Sequence, residues 1–362
     1  MKGVILVGGF GTRLRPLTLT RPKPLVPFAN KPIIKHQIEA LAAAGITEVI
    51  LAVGYMEEQL TEALKGYAKE IGIKIIFSVE EIAMGTAGPL SLVKEMLVHE
   101  KEPFFVLNSD VICNFPFKEM IEHHRVHGSD ATILATTVEE PSKYGVIITD
   151  ASARITAFIE KPQEFVGNSI NAGIYLFNTT IFEYIENRPM SIEKEVLIQM
   201  VVEKKVCTFG LLGFWMDIGQ PKDYILGHRL FLQSLSDPNA RHSLIDPTAK
   251  ISPTAQIGKN TVIGKNVVIE AGVKLEGSII FEGSIIQENA QITNSIIGWD
   301  SVVSRWSRIE GLSVLGANVQ VNEGIYISGG AIPPNTDVAG HVVIQPPSTP
   351  KSMAATISSP SL

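Results

Sequence analysis

The sequence predicts an α/β domain with a mostly parallel sheet, followed by a parallel β-helix of hexapeptide repeats. Two patterns carry that reading. Short apolar runs alternate with amphipathic stretches in the first part of the chain, the mark of βαβ units. In the last third an aliphatic residue returns every six positions, and a period of that length means stacked coils.

Taken in order, Val4 to Val7 reads as a buried strand that ends in glycines. Pro32 to Ala44 reads as a helix, with proline at its start and Gly45 at its stop. Val49 to Val53 is a second strand, Glu57 to Glu70 a helix and Lys74 to Ser78 a third strand. Thr86 to Leu97 is helical by pattern, and Phe104 to Leu107 is a fourth strand. Ligands of such sheets lie at the carboxyl ends of the strands. The segments after Val7 and Leu107 are therefore the first places to look for a site.

The pattern turns polar between Ser234 and His242, around Pro238. It divides the chain into residues 1–235, a linker at 236–244 and a repeat domain at 245–344. The repeat runs through Ile245, Ile251, Ile257, Ile263, Ile269 and Leu275, with Phe281 as its expected continuation. It resumes at Ile297, Val303, Ile309, Leu315, Val321 and Ile327. Each coil buries its stripe against its neighbours, and none is stable alone. Residues 345–362, rich in Pro, Ser and Thr, are expected to form a disordered tail.

Composition excludes several classes. The 362 residues are 45% hydrophobic, enough for more than one core. A formal net charge of -6, from 31 Lys+Arg against 37 Asp+Glu, argues against nucleic acid as a partner. It leaves room for a phosphorylated small molecule in a locally basic pocket. The two cysteines, Cys113 and Cys207, form no C-x-x-C pair, so neither a zinc site nor a disulfide framework is expected. The apolar run Gly3 to Phe10 lacks a small-residue cleavage site and reads as a strand, not a signal peptide. No stretch of about 20 apolar residues predicts a membrane span. A cytoplasmic location is the expectation.

The strongest chemical signal is Gly8-Gly9-Phe10-Gly11-Thr12-Arg13-Leu14-Arg15-Pro16-Leu17-Thr18, continued by Pro22-Lys23-Pro24-Leu25. Glycines directly after a strand let backbone N–H groups crowd around phosphate oxygens, and Arg13 and Lys23 add fixed positive charge. The segment is not a P-loop, for it lacks G-x-x-x-x-G-K-[ST]. Nor is it a dinucleotide fingerprint, whose third glycine is replaced by Leu14.

On these residues the chain resembles the sugar nucleotidyltransferase family. The likeness continues in Gly85-Thr86-Ala87-Gly88-Pro89-Leu90, Leu107-Asn108-Ser109-Asp110, Phe158-Ile159-Glu160-Lys161-Pro162, Ile170-Asn171-Ala172-Gly173 and Trp215-Met216-Asp217-Ile218-Gly219. It implies a Rossmann-like nucleotidyltransferase domain and a left-handed β-helix. It also implies transfer of a guanylyl group from GTP to mannose 1-phosphate, giving GDP-mannose and diphosphate with the help of Mg2+. Such a reaction asks for positioning and charge neutralisation, because the attacking phosphate is already an anion. Magnesium takes one or two carboxylates plus substrate phosphates.

Asp110, at the end of the Phe104 to Leu107 strand, is the candidate first metal ligand. Asp217 is the second by resemblance. The resemblance further implies that Lys161 holds the sugar phosphate, that Glu160 accepts from sugar hydroxyls, and that Asn171, with Gly145 and Gly173, meets the sugar. Gly8, Gly9, Gly11 and Thr12 are expected to cradle phosphate. Gly85 and Thr86, read at a helix start, would admit the base by backbone approach. The donors on guanine's pairing edge suit a carboxylate, and Glu80 or Glu81 would supply it. His123, His124 and His127 read as a solvated helix face, since no third zinc ligand or catalytic Glu accompanies them. Met84 and Met96 read as ordinary core or loop residues.

Three rivals stand beside this reading. An adenylyl-, uridylyl- or thymidylyltransferase acting on glucose 1-phosphate would share the core site. An acyltransferase would use its hexapeptide coils and a coil histidine, but only His341 follows His242. A non-catalytic scaffold or regulatory homologue would have lost the chemistry, against which stand the intact Arg13, Lys23, Asp110, Lys161 and Asp217. The expected partners are the two substrates, further copies of the chain, and a regulatory paralogous subunit.

Overall fold

The computed structural model describes residues 1–54, 56–99 and 102–343. The expected tail at 345–362, together with residue 344, lies outside them. The strand Lys2–Val7 sits at the centre of the N-terminal sheet. It pairs in parallel with Glu48–Val53 on one side and Phe104–Asn108 on the other, and Lys74–Val79 extends the parallel half. Val4, Ile5, Ile50, Leu51, Val106 and Leu107 are fully buried. Such unbroken apolar runs follow from having both faces of the sheet covered. Beyond Phe104–Asn108 the sheet turns antiparallel through Ser169–Phe177, which also pairs Ala131–Thr137 and touches Gly145–Thr149. Gly145–Thr149 in turn pairs Ile155–Glu160.

Two expected helices are broken. Glu57 to Glu70 divides into Glu57–Leu64 and Tyr67–Ile71, with Gly66 in the left-handed region between them. Thr86 to Leu97 is observed as Gly88–Leu92 and Lys94–Val98. Its first residues are not helical because Gly85 bridges to Met190 and the Ala87 N–H donates to the Met190 carbonyl at 3.0 Å. The expected linker is also structured. Pro238–His242 is a short helix capped by the Asp237 side chain, and Ser243–Ile245 is already a coil strand paired with Thr261–Ile263.

Three parallel sheets of six strands each stack into coils, the architecture of a left-handed parallel β-helix. The interior is lined by Ile263, Ile269, Leu275, Ile280, Ile286, Ile292, Ile297, Val303, Ile309, Leu315, Val321, Ile327, Ile332 and Val338. Burying one such side chain contributes about 1.5–3 kcal/mol. Asn260, Asn266, Asn289, Asn294, Asn318 and Asn335 hold corners at positive φ, which Asn tolerates better than most residues.

Phe281 does not continue the repeat. Ile263 pairs with Ile280, so the step after Leu275 is one residue short and Ile280 takes the interior place. Phe281 points outward instead. With Val262, Ile279, Ile296, Trp299 and Val314 it packs on Leu14, Leu17, Val26, Phe28, Ile218 and Tyr224 of the N-terminal domain. One face of the β-helix thus lies directly behind the glycine-rich segment.

Candidate active site

Local conformation shapes the phosphate-facing segment. Gly11 is left-handed, and a Cβ there would stand 3.0 Å from Thr18 Cγ2 and 3.1 Å from Lys23 Cβ. Its carbonyl accepts from the Leu14 N–H at 3.0 Å and from Thr18 Oγ1 at 2.8 Å. A Cβ on Gly9 would meet nothing within 4 Å, so its backbone faces open space. Pro22 and Pro24 flank Lys23 in a single 3-10 turn, fixing the direction in which its side chain leaves.

Two aspartates far apart in sequence are joined by a short antiparallel pair. Val111–Cys113 pairs with Trp215–Asp217, and the Ile218 N–H donates to the Asp110 carbonyl at 2.9 Å. The buried Gln37 amide steadies the turn by donating to the carbonyls of Asn108 and Val111, at 2.9 and 3.0 Å. Lys23 Nζ donates to Asp110 Oδ2 at 2.7 Å. Arg13 Nη2 stands 3.8 Å from Asp110 Oδ2 and 3.9 Å from Asp217 Oδ2, so one guanidinium faces both carboxylates.

The charges leave the two acids unequal. Burial pushes the Asp110 carboxyl up, but the Lys23 ammonium, helped by Arg13, outweighs it and holds Asp110 below the ordinary carboxylate range. Burial pushes Asp217 up, the Asp110 charge pushes it further, and it titrates at about 6. A pair of carboxylates in which one resists ionisation suits an added cation. With only two acids and no cluster of three His, Cys, Asp or Glu among the described residues, the donor set fits a hard ion completed by substrate phosphates and not zinc.

Lys161, which lines the same cleft, adopts positive φ, uncommon for a residue with a side chain. That conformation is costly and tends to persist where a side chain must be aimed. Its Nζ lies 3.2 Å from Glu160 Oε1. Gly145 leaves the space that Glu160 and Phe158 occupy, since a Cβ would stand 2.5 Å from Phe158 Cζ. Gly173, left-handed, does the same for Asn108 at 2.7 Å. Asn171 is buried and bound on both ends, accepting from the Gly173 N–H at 2.9 Å and donating to Tyr175 Oη at 2.8 Å.

Glu80 is buried at the end of the Lys74–Val79 strand, and burial raises its pKa against the opposing Met84 N–H. Glu81 is exposed. Gly8 makes room for the Glu80 carboxylate, which lies 2.9 Å from where a Cβ would sit. The Thr86 hydroxyl is already committed, donating to Glu193 and accepting from the Ile192 N–H, both at 2.8 Å. The left-handed Gly85 is explained by the Met190 carbonyl, 2.4 Å from a would-be Cβ.

Of the seventeen site residues singled out from the sequence, sixteen line one cleft of about 640 Å3, and Glu81 does not. Arg13, Lys23, Asp110 and Asp217 cluster within it, and Thr86 is linked to Asn171 through Glu193 and Tyr175. Sequence reasoning missed Tyr144, Glu193 and Lys194 on the same walls. Glu193 accepts from Thr86, Ser191 and Tyr175 and so ties three segments together, a role no local pattern announces. The histidines lie elsewhere. His124 is not solvated but buried, bound to Thr132 and Asn178, while His123 stacks on His127 with ring centroids 3.8 Å apart.

Residues 2–234 match the family described as Nucleotidyl transferase, and residues 240–346 match the GMPPB C-terminal domain. The chain belongs to the nucleotidyl transferase family. Mannose-1-phosphate guanyltransferase of Saccharomyces cerevisiae is 57% identical over 354 residues, covering 94% of this chain and 98% of that protein. Mannose-1-phosphate guanylyltransferase catalytic subunit beta of Drosophila melanogaster is 53% identical over 351 residues, covering 94% of this chain and 95% of that protein. The crystal structure of HddC from Yersinia pseudotuberculosis is 27% identical with a TM-score of 0.54, covering 62% of this chain and 97% of that one. Nucleotidyltransferases of this family generally use a divalent metal, which agrees with the paired carboxylates. Among the described residues no helix is long and apolar enough to cross a membrane.

Proposed function

We propose that the chain joins GTP to α-D-mannose 1-phosphate, releasing diphosphate and GDP-mannose, with Mg2+ as its metal. The observation that carries this reading is the convergence of Asp110 and Asp217 under one guanidinium, between a basic glycine-rich wall and the Glu160–Lys161 wall. The names of the yeast and fly relatives support the choice of GTP and mannose 1-phosphate.

In this reading a phosphate oxygen of the sugar 1-phosphate forms a bond to the α-phosphorus as the bond to diphosphate breaks in line. The attacking oxygen is already charged, so no general base is needed. Lys161 holds the sugar phosphate and Glu160 accepts from sugar hydroxyls, with Asn171, Gly145 and Gly173 shaping the sugar's place. Arg13 and Lys23 neutralise the departing diphosphate against the Gly8, Gly9, Gly11 and Thr12 backbone. Asp110 and Asp217 would hold Mg2+, which supplies charge neutralisation on the triphosphate. Glu80 accepts from guanine N1–H and N2–H, and Gly85 and Thr86 border the base. The chain works in the cytoplasm as a homo-oligomer and pairs with a regulatory paralogue.

The test is diphosphate release by purified protein with Mg2+, crossing GTP, ATP, UTP and dTTP with mannose 1-phosphate and glucose 1-phosphate. Release confined mainly to GTP with mannose 1-phosphate supports the proposal. Preference for another pair would keep the mechanism and replace the substrates. Silence across the panel would favour a non-catalytic homologue.

A further inference from the structure

We propose that Trp299 of the β-helix acts on the reaction as a positioning residue, holding the segment that carries Lys23 through the guanidinium of Arg21. The inference rests on the functional reading above. Arg21 lies two residues before Lys23, and its Cζ stands 4.4 Å from the Trp299 ring centroid. Behind Trp299 the rings continue without a break. Phe281 packs on it with centroids 4.6 Å apart, Tyr224 meets Phe281 edge-on at 6.4 Å, and His228 lies 4.6 Å from Tyr224. That stack grips the far end of the same segment. His228 Nε2 accepts from the Ala29 N–H at 3.0 Å, Tyr224 donates to the Pro27 carbonyl, and Asn30 donates to the Ile263 carbonyl at 2.8 Å. The segment 21–30 is therefore clamped at both ends against the back of the cleft, with Lys23 between the clamps and 2.7 Å from Asp110.

One detail separates positioning from mere packing. Trp299 is buried, yet its Nε1–H has no hydrogen-bond partner. An unsatisfied buried donor is unfavourable, and phenylalanine would fill much of the site without it. What tryptophan adds is the strongest aromatic face for a cation. The residue thus fills the interface and also presents its face to Arg21.

The test compares wild type, Trp299→Phe, Arg21→Gln, Arg21→Lys and the Trp299→Phe/Arg21→Gln pair in steady-state kinetics and thermal unfolding. Trp299→Phe and Arg21→Gln are each expected to lower kcat/KM for the triphosphate about three- to tenfold, as loss of a partly desolvated cation–π contact implies. KM for the sugar 1-phosphate, held at Lys161, stays within about twofold, and Tm falls by no more than a few degrees with Trp299→Phe, as a smaller buried ring implies. Arg21→Lys recovers most of the loss, and the double variant is no worse than the poorer single one, as coupled residues require. Unchanged triphosphate kinetics, equal effects on both substrates, or additive losses would overturn the proposal. Calorimetric binding of diphosphate with Mg2+ gives a readout independent of base and sugar. Arg21→Gln should weaken it by a similar factor. If wild type turns over a different substrate pair, or none, the functional reading fails, while unaltered diphosphate affinity in Arg21→Gln fails the positioning role alone.

Discussion

Along one sheet of the β-helix, Ile263, Ile280, Ile297, Leu315 and Ile332 stack in register, each closed off by the same kind of neighbour. In the cleft the side chains differ in kind and in surroundings, and several are held where they would not rest unaided. Lys161 adopts a left-handed backbone, and Asp217 is kept from ionising until about pH 6 by burial and by Asp110. The first region is selected for stability, spread over interchangeable positions. The second concentrates two carboxylates, of which Lys23 and Arg13 offset Asp110 more fully than Asp217. Mutations should therefore separate the two regions, each moving one property more than the other.

The largest effect is expected from Asp110→Asn. Turnover should drop by about a thousandfold or more, as for loss of a charge that organises the transition state. The amide oxygen still accepts from Lys23 but no longer pairs its charge, so the variant melts below wild type while still folding; turnover per folded molecule within about tenfold of wild type would remove Asp110 from the metal site. Next comes Ile309→Ala, in a fully buried coil position far from the cleft. It should cost about 2–5 kcal/mol in denaturant unfolding of the β-helix while kcat per folded molecule is unchanged. Smaller again is Glu80→Gln. Removing one acceptor for guanine should shift the ratio of kcat/KM for GTP over ATP by about 10- to 100-fold, and an unaltered ratio would leave base selection without its carboxylate.

The same contrast explains what could be read from the chain alone. The coil interior was legible because one physical constraint repeats, and the eye needs only the period. It failed at Phe281, where a coil shortened by one residue moved Ile280 inward and sent Phe281 to the domain interface. Single helices broke where Gly66 and the Met190 contact overrode local pattern. In the cleft, the glycines, Arg13 and Lys23 were visible because they lie in one segment. The approach of Asp110 and Asp217 depends on the pairing of Val111–Cys113 with Trp215–Asp217, which leaves no local trace. Glu193 was missed for the same reason, its partners coming from three separate stretches.

The most direct test of the cleft as an unfinished cation site is the melting temperature of Asp217→Asn against wild type, without metal and with Mg2+ and GTP, from pH 4 to 8. A carboxyl whose folded pKa is raised contributes stability that is present below its unfolded pKa of about 3.9 and is lost as pH rises through about 6. Asparagine carries no such loss. Metal-free Asp217→Asn should therefore melt about 2–6 °C above wild type at pH 7 to 8, as a shift of this size implies. The gain should fade toward pH 4, and the variant should lose both the stabilisation by Mg2+ with GTP and turnover. A variant that melts lower than wild type at pH 7.5, or that Mg2+ with GTP still stabilises as strongly, would contradict the assignment of Asp217 to the metal.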